Sequence, residues 1–121
     1  MRDPETVVRA FCAAWPRRNV DELLEYFAED AVYHNMPLEP ASGKNSIREL
    51  LNMFVPAESL EAEIVHLVTR GELVFTERVD RMTLGGKRIV LPCAGVFEIR
   101  DGKIAAWRDY FDLATWQRQS E

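Results

Sequence analysis

Arg78 and Asp80 stand two residues apart in Thr76-Glu77-Arg78-Val79-Asp80, within a run, about Glu72 to Leu84, that reads as a β-strand. Side chains alternate faces along a strand, so these two point the same way, roughly 6.5–7 Å apart. A second carboxylate, Asp109, shares its face with Ala105, Trp107, Phe111 and Leu113 if Lys103–Leu113 is also a strand. A charged group in an apolar row is seldom buried unless paired, and Arg78 is the natural partner. Two carboxylates in a poorly hydrated site do not both ionise readily. One keeps a proton that it can give to a substrate oxygen, and the other can take a proton from water. With a planar guanidinium bridging them, this is equipment for concerted acid–base hydrolysis without a covalent intermediate. The water itself needs further partners, and Tyr33 and Asn35 offer a phenol and an amide on one face of a short strand.

These groups act together only if the elements bring them together. Asp3-Pro4 marks a helix start, with Asp as N-cap and Pro at the first helical position. Val7, Val8, Phe11, Cys12 and Trp15 then form an apolar stripe at helical spacing. Asn19 and Glu22 form a capping-box pattern for a short second helix carrying Leu23, Leu24 and Phe27. Ala31–Asn35 reads as a brief strand, and Lys44–Phe54 as a third helix with Ile47, Leu50, Leu51 and Phe54 on its apolar side. From Leu60 the period changes to two. Four strands are expected, at about Leu60–Thr69, Glu72–Leu84, Lys87–Ile99 and Lys103–Leu113, joined at Arg70-Gly71, Gly85-Gly86 and Asp101-Gly102 by tight antiparallel turns. Asp112 can cap a last helical turn containing Trp116. The expected class is α+β, a curved antiparallel sheet wrapped around amino-terminal helices.

Ile89, Leu91, Cys93, Gly95, Phe97 and Ile99 occupy one face of the third long strand without a polar residue among them, so that face is interior. The strand Glu72–Leu84 does not declare itself. Val74, Thr76, Arg78, Asp80 and Met82 share one face, and Leu73, Phe75, Glu77, Val79 and Arg81 share the other. If the Arg78 face is outside, the pair with Asp80 is an ordinary surface ion pair worth about 0–1 kcal/mol.

The chain has 121 residues, 47% hydrophobic and 29% charged, with a formal net charge of −5 and no basic run. That balance suits one folded domain over 1–121 and speaks against nucleic acid or an anionic membrane as partner. No apolar run approaches the roughly 20 residues of a membrane span, and the first residues do not read as a signal peptide. Cys12 and Cys93, far apart in apolar segments, fit buried thiols in a reducing, cytoplasmic setting. Neither has a base nearby in sequence, so neither reads as a nucleophile. His34 and His66 lack the spacing and companions of a metal site. Neither a nucleophile elbow nor a Gly-rich phosphate loop is present. No metal site is expected.

Four segments carry a resemblance: Tyr26-Phe27-Ala28-Glu29-Asp30, Tyr33-His34-Asn35-Met36-Pro37, Thr76-Glu77-Arg78-Val79-Asp80, and Gly102 to Asp112. In order, and spanning nearly the whole chain, they resemble the limonene epoxide hydrolase family. The resemblance implies a cone-shaped α+β fold, shared with ketosteroid isomerases and polyketide cyclases, that encloses a deep apolar pocket. It also implies a homodimer without a cofactor. Asp109 then looks like the base that activates water with Tyr33 and Asn35, Asp80 like the acid that protonates the epoxide oxygen, and Arg78 like their bridge. The Arg78 face would point inward. Cys12, Trp15, Met82, Leu91, Cys93 and Phe111 would be substrate-binding wall positions, with Cys12, Trp15 and Cys93 departing from the aliphatic residues usual there. The implied reaction turns a small or medium apolar epoxide into a vicinal diol. Two other readings of the same fold are an isomerase or cyclase that removes a carbon-bound proton, and a module that binds an apolar ligand without turnover. Arg78 between two acids weighs against the first, since it would hold a carbon-acid base too firmly ionised.

Overall fold

Asp3 accepts a hydrogen bond from the Thr6 N–H at 2.9 Å and Pro4 takes the first helical position, so α1 (Pro4–Ala14) begins where its sequence directs. The computed structural model describes residues 2–121. Pro16 tightens the end of α1 into a 3₁₀ turn, Trp15–Arg17. Asn19 caps α2 (Val20–Leu24) by accepting from the Glu22 N–H at 3.1 Å. The expected capping box is only half made, because the Glu22 carboxylate turns to Arg17 at 2.6 Å. Phe27 is not on this helix. It opens β1 (Phe27–Asn35), which therefore starts earlier than the sequence suggested, and its ring is buried. A two-residue β2 (Ala41–Ser42), not anticipated, precedes α3 (Gly43–Phe54).

Four long strands follow: β3 (Ser59–Arg70), β4 (Leu73–Leu84), β5 (Lys87–Arg100) and β6 (Lys103–Tyr110). Gly85 and Gly86 (φ 57° and 80°) and Asp101 and Gly102 (φ 53° and 74°) have the paired positive φ of two-residue hairpin turns. The first turn is Gly71-Glu72, one residue later than expected, since Arg70 faces Leu73. The sheet order is β2-β1-β6-β5-β4-β3. Its four long strands are antiparallel as the turns require, but β1 joins β6 in parallel, with Tyr33 opposite Trp107 and Asn35 opposite Asp109. A parallel neighbour needs a long crossover, and the chain from β1 to β6 supplies it.

Ala105 is the extra residue of a bulge, because Ile99 faces Ile104 while Glu98 faces Ala106. The expected interior row placed Ala105 inward; the bulge instead buries Ile104, and Trp107 and Asp109 keep their inward phase. A second bulge falls between Ile64 and His66 on β3. Both add to the twist and curl of the sheet. The interior row of β5 is buried as expected, and on β4 Val74, Thr76 and Arg78 are buried while Leu73, Phe75 and Glu77 are exposed. The Arg78 face is inside. Phe11, from α1, sits at the centre of the core with five aromatic neighbours, Trp15, Tyr26, Phe27, Phe97 and Trp107, at ring distances of 5.1–6.2 Å. β6 ends at Tyr110 rather than Leu113, because Asp112 caps α4 (Leu113–Ser120) through the Ala114 N–H and the Thr115 hydroxyl. Among the described residues no helix is long and apolar enough to cross a membrane.

Candidate active site

Adjacent strands bring the three charged groups into contact. Arg78 on β4 faces Cys93 on β5, and Gly95 on β5 faces Asp109 on β6, so the guanidinium must cross β5 to meet Asp109. It does so over Gly95. A Cβ there would lie 2.4 Å from Arg78 Nη1 and 2.5 Å from Asp109 Oδ1, so the absence of a side chain is what lets the pair lie against the sheet. Arg78 donates from Nη1 to Asp109 Oδ1 (3.0 Å) and from Nη2 to Asp109 Oδ2 (2.7 Å), a bidentate pair. Its Nε and Nη2 also reach Asp80 Oδ1 (3.1 Å) and Oδ2 (2.9 Å). Thr76 Oγ1 accepts from Nη1 at 3.1 Å, and Cys93 Sγ lies 3.4 Å from Nη2.

This cluster forms the floor of a cavity of about 300 Å³. Arg78 is 2% exposed and Asp109 3%, whereas the Asp80 side chain retains 21% of its exposure toward the cavity. Beside them Asn35 is the register partner of Asp109, and the Tyr33 hydroxyl donates to Asn35 Oδ1 at 3.2 Å. The Tyr33 ring lies flat on Trp107, 4.1 Å between centroids at 4°. Trp107 also touches the chemistry directly: its Nε1–H donates to Asp109 Oδ1 at 2.6 Å. The sequence placed Trp107 in the apolar row of Asp109, as core or pocket wall, and gave its N–H no part in the chemistry. Its place two residues before Asp109 on one strand face was the available signal.

Burial is the strongest influence on Asp109 and raises its carboxyl above the ordinary range. The Arg78 charge and hydrogen bonds and the Trp107 N–H pull the other way, and the Asp80 charge adds to the rise. Burial opposes the charge on Arg78, but the two carboxylates outweigh it, so this guanidinium stays protonated. Burial, aided by the Asp109 charge, also holds the Tyr33 phenol well above its usual value. The same desolvation pushes the Cys12 thiol up to about 12 and raises Cys93 as well, which leaves both as unreactive thiols.

All eleven residues singled out from the sequence meet in this one cavity. Cys12 and Trp15 come from α1 and its 3₁₀ extension, Met82 from β4, Leu91 and Cys93 from β5, and Phe111 from just past β6. Among the wall residues that went unremarked as such are Leu50 and Phe54 of α3 and Leu113 and Trp116 of α4. Asp80, Cys93 and Asp109 bring ligand atoms within 4.8 Å of one another, but the Arg78 guanidinium already supplies the positive charge among them.

A strongly curved sheet with helices closing an apolar pocket is the architecture of the cone-shaped α+β proteins. Residues 2–120 match the family model of the limonene-1,2-epoxide hydrolase catalytic domain. Epoxide hydrolase EphG of Mycobacterium tuberculosis (strain ATCC 25618 / H37Rv) is 33% identical over 106 residues, 88% of this chain and 71% of that one. The structure of an M. tuberculosis LEH-like epoxide hydrolase superposes with TM-score 0.83 at 31% identity, covering 94% of this chain and 86% of that one. SalBIII, an epoxide hydrolase/cyclase-like enzyme, shares the fold with TM-score 0.85 at 23% identity, covering 93% and 92%. The chain belongs to the limonene-1,2-epoxide hydrolase family.

Proposed function

We propose that this protein hydrolyses a small or medium apolar epoxide to a vicinal diol in one concerted acid–base step. The observation that carries this is Arg78 holding Asp80 and Asp109 together on the floor of an apolar cavity. Two carboxylates against one guanidinium leave one uncompensated negative charge, so a single proton brings this dry cluster to neutrality. Asp109 is the base. Its Oδ1 accepts two N–H groups and its Oδ2 one, so Oδ2 keeps the freer lone pair for water. The raised proton affinity that burial gives Asp109 suits it to draw a proton from water. Asn35 and Tyr33 hold that water beside Asp109, and Asp80, facing the cavity, gives its proton to the epoxide oxygen as the ring opens. The water attacks a ring carbon from behind, inverting it, while strain in the three-membered ring lowers the demand on both the acid and the base. No cofactor enters the step, and Cys12, Trp15, Met82, Leu91, Cys93 and Phe111 hold the apolar body of the substrate.

The same reading treats residues 1–121 as one limonene-epoxide-hydrolase-like domain acting as a homodimer in the cytoplasm. Limonene epoxide is one candidate substrate, to be set within a panel of terpene, cyclic and aryl epoxides with chiral product analysis. Single turnover in isotope-labelled water tests the chemistry. The label is expected in the diol with none in the protein, and a labelled carboxylate would establish an ester intermediate instead. Asp109→Asn should abolish diol formation in a protein that still folds; wild-type turnover in this variant would remove Asp109 from the mechanism.

A further inference from the structure

β6 covers β5 only from Ala94, opposite Tyr110, to Arg100, opposite Lys103. The amino-terminal half of β5 has β4 on one side and no strand on the other. At Val90 that free edge is taken by a side chain. Gln119 of α4 accepts from the Val90 N–H through Oε1 at 2.8 Å and donates from Nε2 to the Val90 carbonyl at 2.8 Å. One primary amide does here what a residue of a neighbouring strand would do. Lys87 Nζ adds a bond to the Ser120 carbonyl at 3.3 Å. α4 has eight residues and none is buried, and a helix so short does not persist in water without such attachments.

The helix held in this way turns Leu113 and Trp116 into the cavity. Most of the cavity's rings are already engaged: Trp15 stacks on Phe54, and Trp107 lies between Tyr33 and Phe97. Among the described residues Trp116 and Phe111 have no aromatic neighbour. Of these two, only Trp116 rides on the short latched helix. An indole without an aromatic partner offers a flat unsaturated ring a stacking surface that a puckered saturated ring of the same carbon count cannot use as well.

We propose that Gln119 latches α4 to the free edge of β5, and that Trp116, positioned by this latch, selects substrates bearing a planar unsaturated ring. The proposal rests on the epoxide-hydrolase reading and refines its substrate class. Benzyloxirane and (cyclohexylmethyl)oxirane form the test pair, because a methylene keeps ring electronics away from the epoxide. The wild-type protein should favour the aryl compound about three- to tenfold in kcat/KM. Trp116→Leu should bring that ratio close to one. Gln119→Met, which keeps the length and removes both hydrogen bonds to Val90, should lower the ratio through KM rather than kcat and speed hydrogen exchange at the Val90 amide. A wild-type ratio near one, or a ratio unmoved by either substitution, overturns the proposal. If neither epoxide is turned over, the hydrolase reading fails instead. The two corresponding diols, titrated by calorimetry, then carry the same comparison as a ratio of dissociation constants, with the same outcomes for and against.

Discussion

Trp107 shows how much a single donor can contribute on this floor. Its N–H meets Asp109 Oδ1 at 2.6 Å inside the core, where a hydrogen bond to a charged group contributes about 1.5–3 kcal/mol. Phenylalanine at 107 would keep an aromatic ring between Tyr33 and Phe97 and lose only the donor. Trp107→Phe should therefore cost about 10- to 100-fold in kcat/KM. It should also move the acid limb of the pH profile. Asp109 must be ionised to act as base, and its pKa is raised mainly by burial and lowered by Arg78 and by this N–H. Activity should then be lost on acidification earlier than for an ordinary carboxylate, and earlier still in the variant. An unmoved limb would show that Asp109 is not the titrating base. Gly95 offers an independent check: Gly95→Ala puts a methyl against Arg78 Nη1 and Asp109 Oδ1, so turnover should collapse, and a variant of near-native activity would mean that the pair need not lie there. Asp109 could be read from the sequence because a carboxylate breaks an apolar row. Trp107 was only half legible, because its place two residues before Asp109 sets it nearby, but an indole in such a row looks like core until the direction of its N–H is known.

The element that sets the geometry is the β5–β6 hairpin. Its two-residue turn puts Arg100 opposite Lys103, and the bulge at Ala105 sets the phase in which Gly95 faces Asp109. Such turns were legible, since glycines between alternating runs mark where the backbone takes positive φ. The bulge was not, because alternation is all that a strand pattern records and an extra residue leaves no local mark. The parallel β1–β6 pair was hidden for a related reason, as its partners are separated by the whole meander and by α3. The extent of α2 was misjudged because Phe27 fits the helical spacing until tertiary pairing with β6 claims it. The turn itself is testable. Gly102 has φ 74°, where a β-branched side chain is strained, so Gly102→Val should destabilise the fold by roughly 1–2 kcal/mol in a denaturant titration. The folded fraction should keep its kcat, because no atom of the floor is changed. A fall in kcat without a fall in stability would show that the turn conformation reaches the site some other way.

At the scale of the molecule, the two faces of the sheet have divided the work. The concave face holds the polar floor and the apolar cavity, while the convex face carries exposed Val65 and Val68 on β3, Leu73 and Phe75 on β4, Val90 on β5 and Tyr110 on β6. Val68 and Phe75 are direct cross-strand partners, 65% and 46% exposed, so they form a continuous apolar spot rather than scattered residues. A second copy docked on this face would leave the cavity mouth free, which supports the proposed homodimer. In a two-fold dimer each substitution is presented twice and meets its own image or near neighbours. Phe75→Glu would then remove apolar contact and bury like charges near one another, on a chain whose net charge is already −5. Light scattering on the eluting peak should give the wild-type protein about twice the chain mass of 13.9 kDa and Phe75→Glu a single chain mass. The variant should still turn over substrate, because every group on the floor comes from one chain. A wild-type protein that runs as a single chain at tens of micromolar would leave the convex face without this partner.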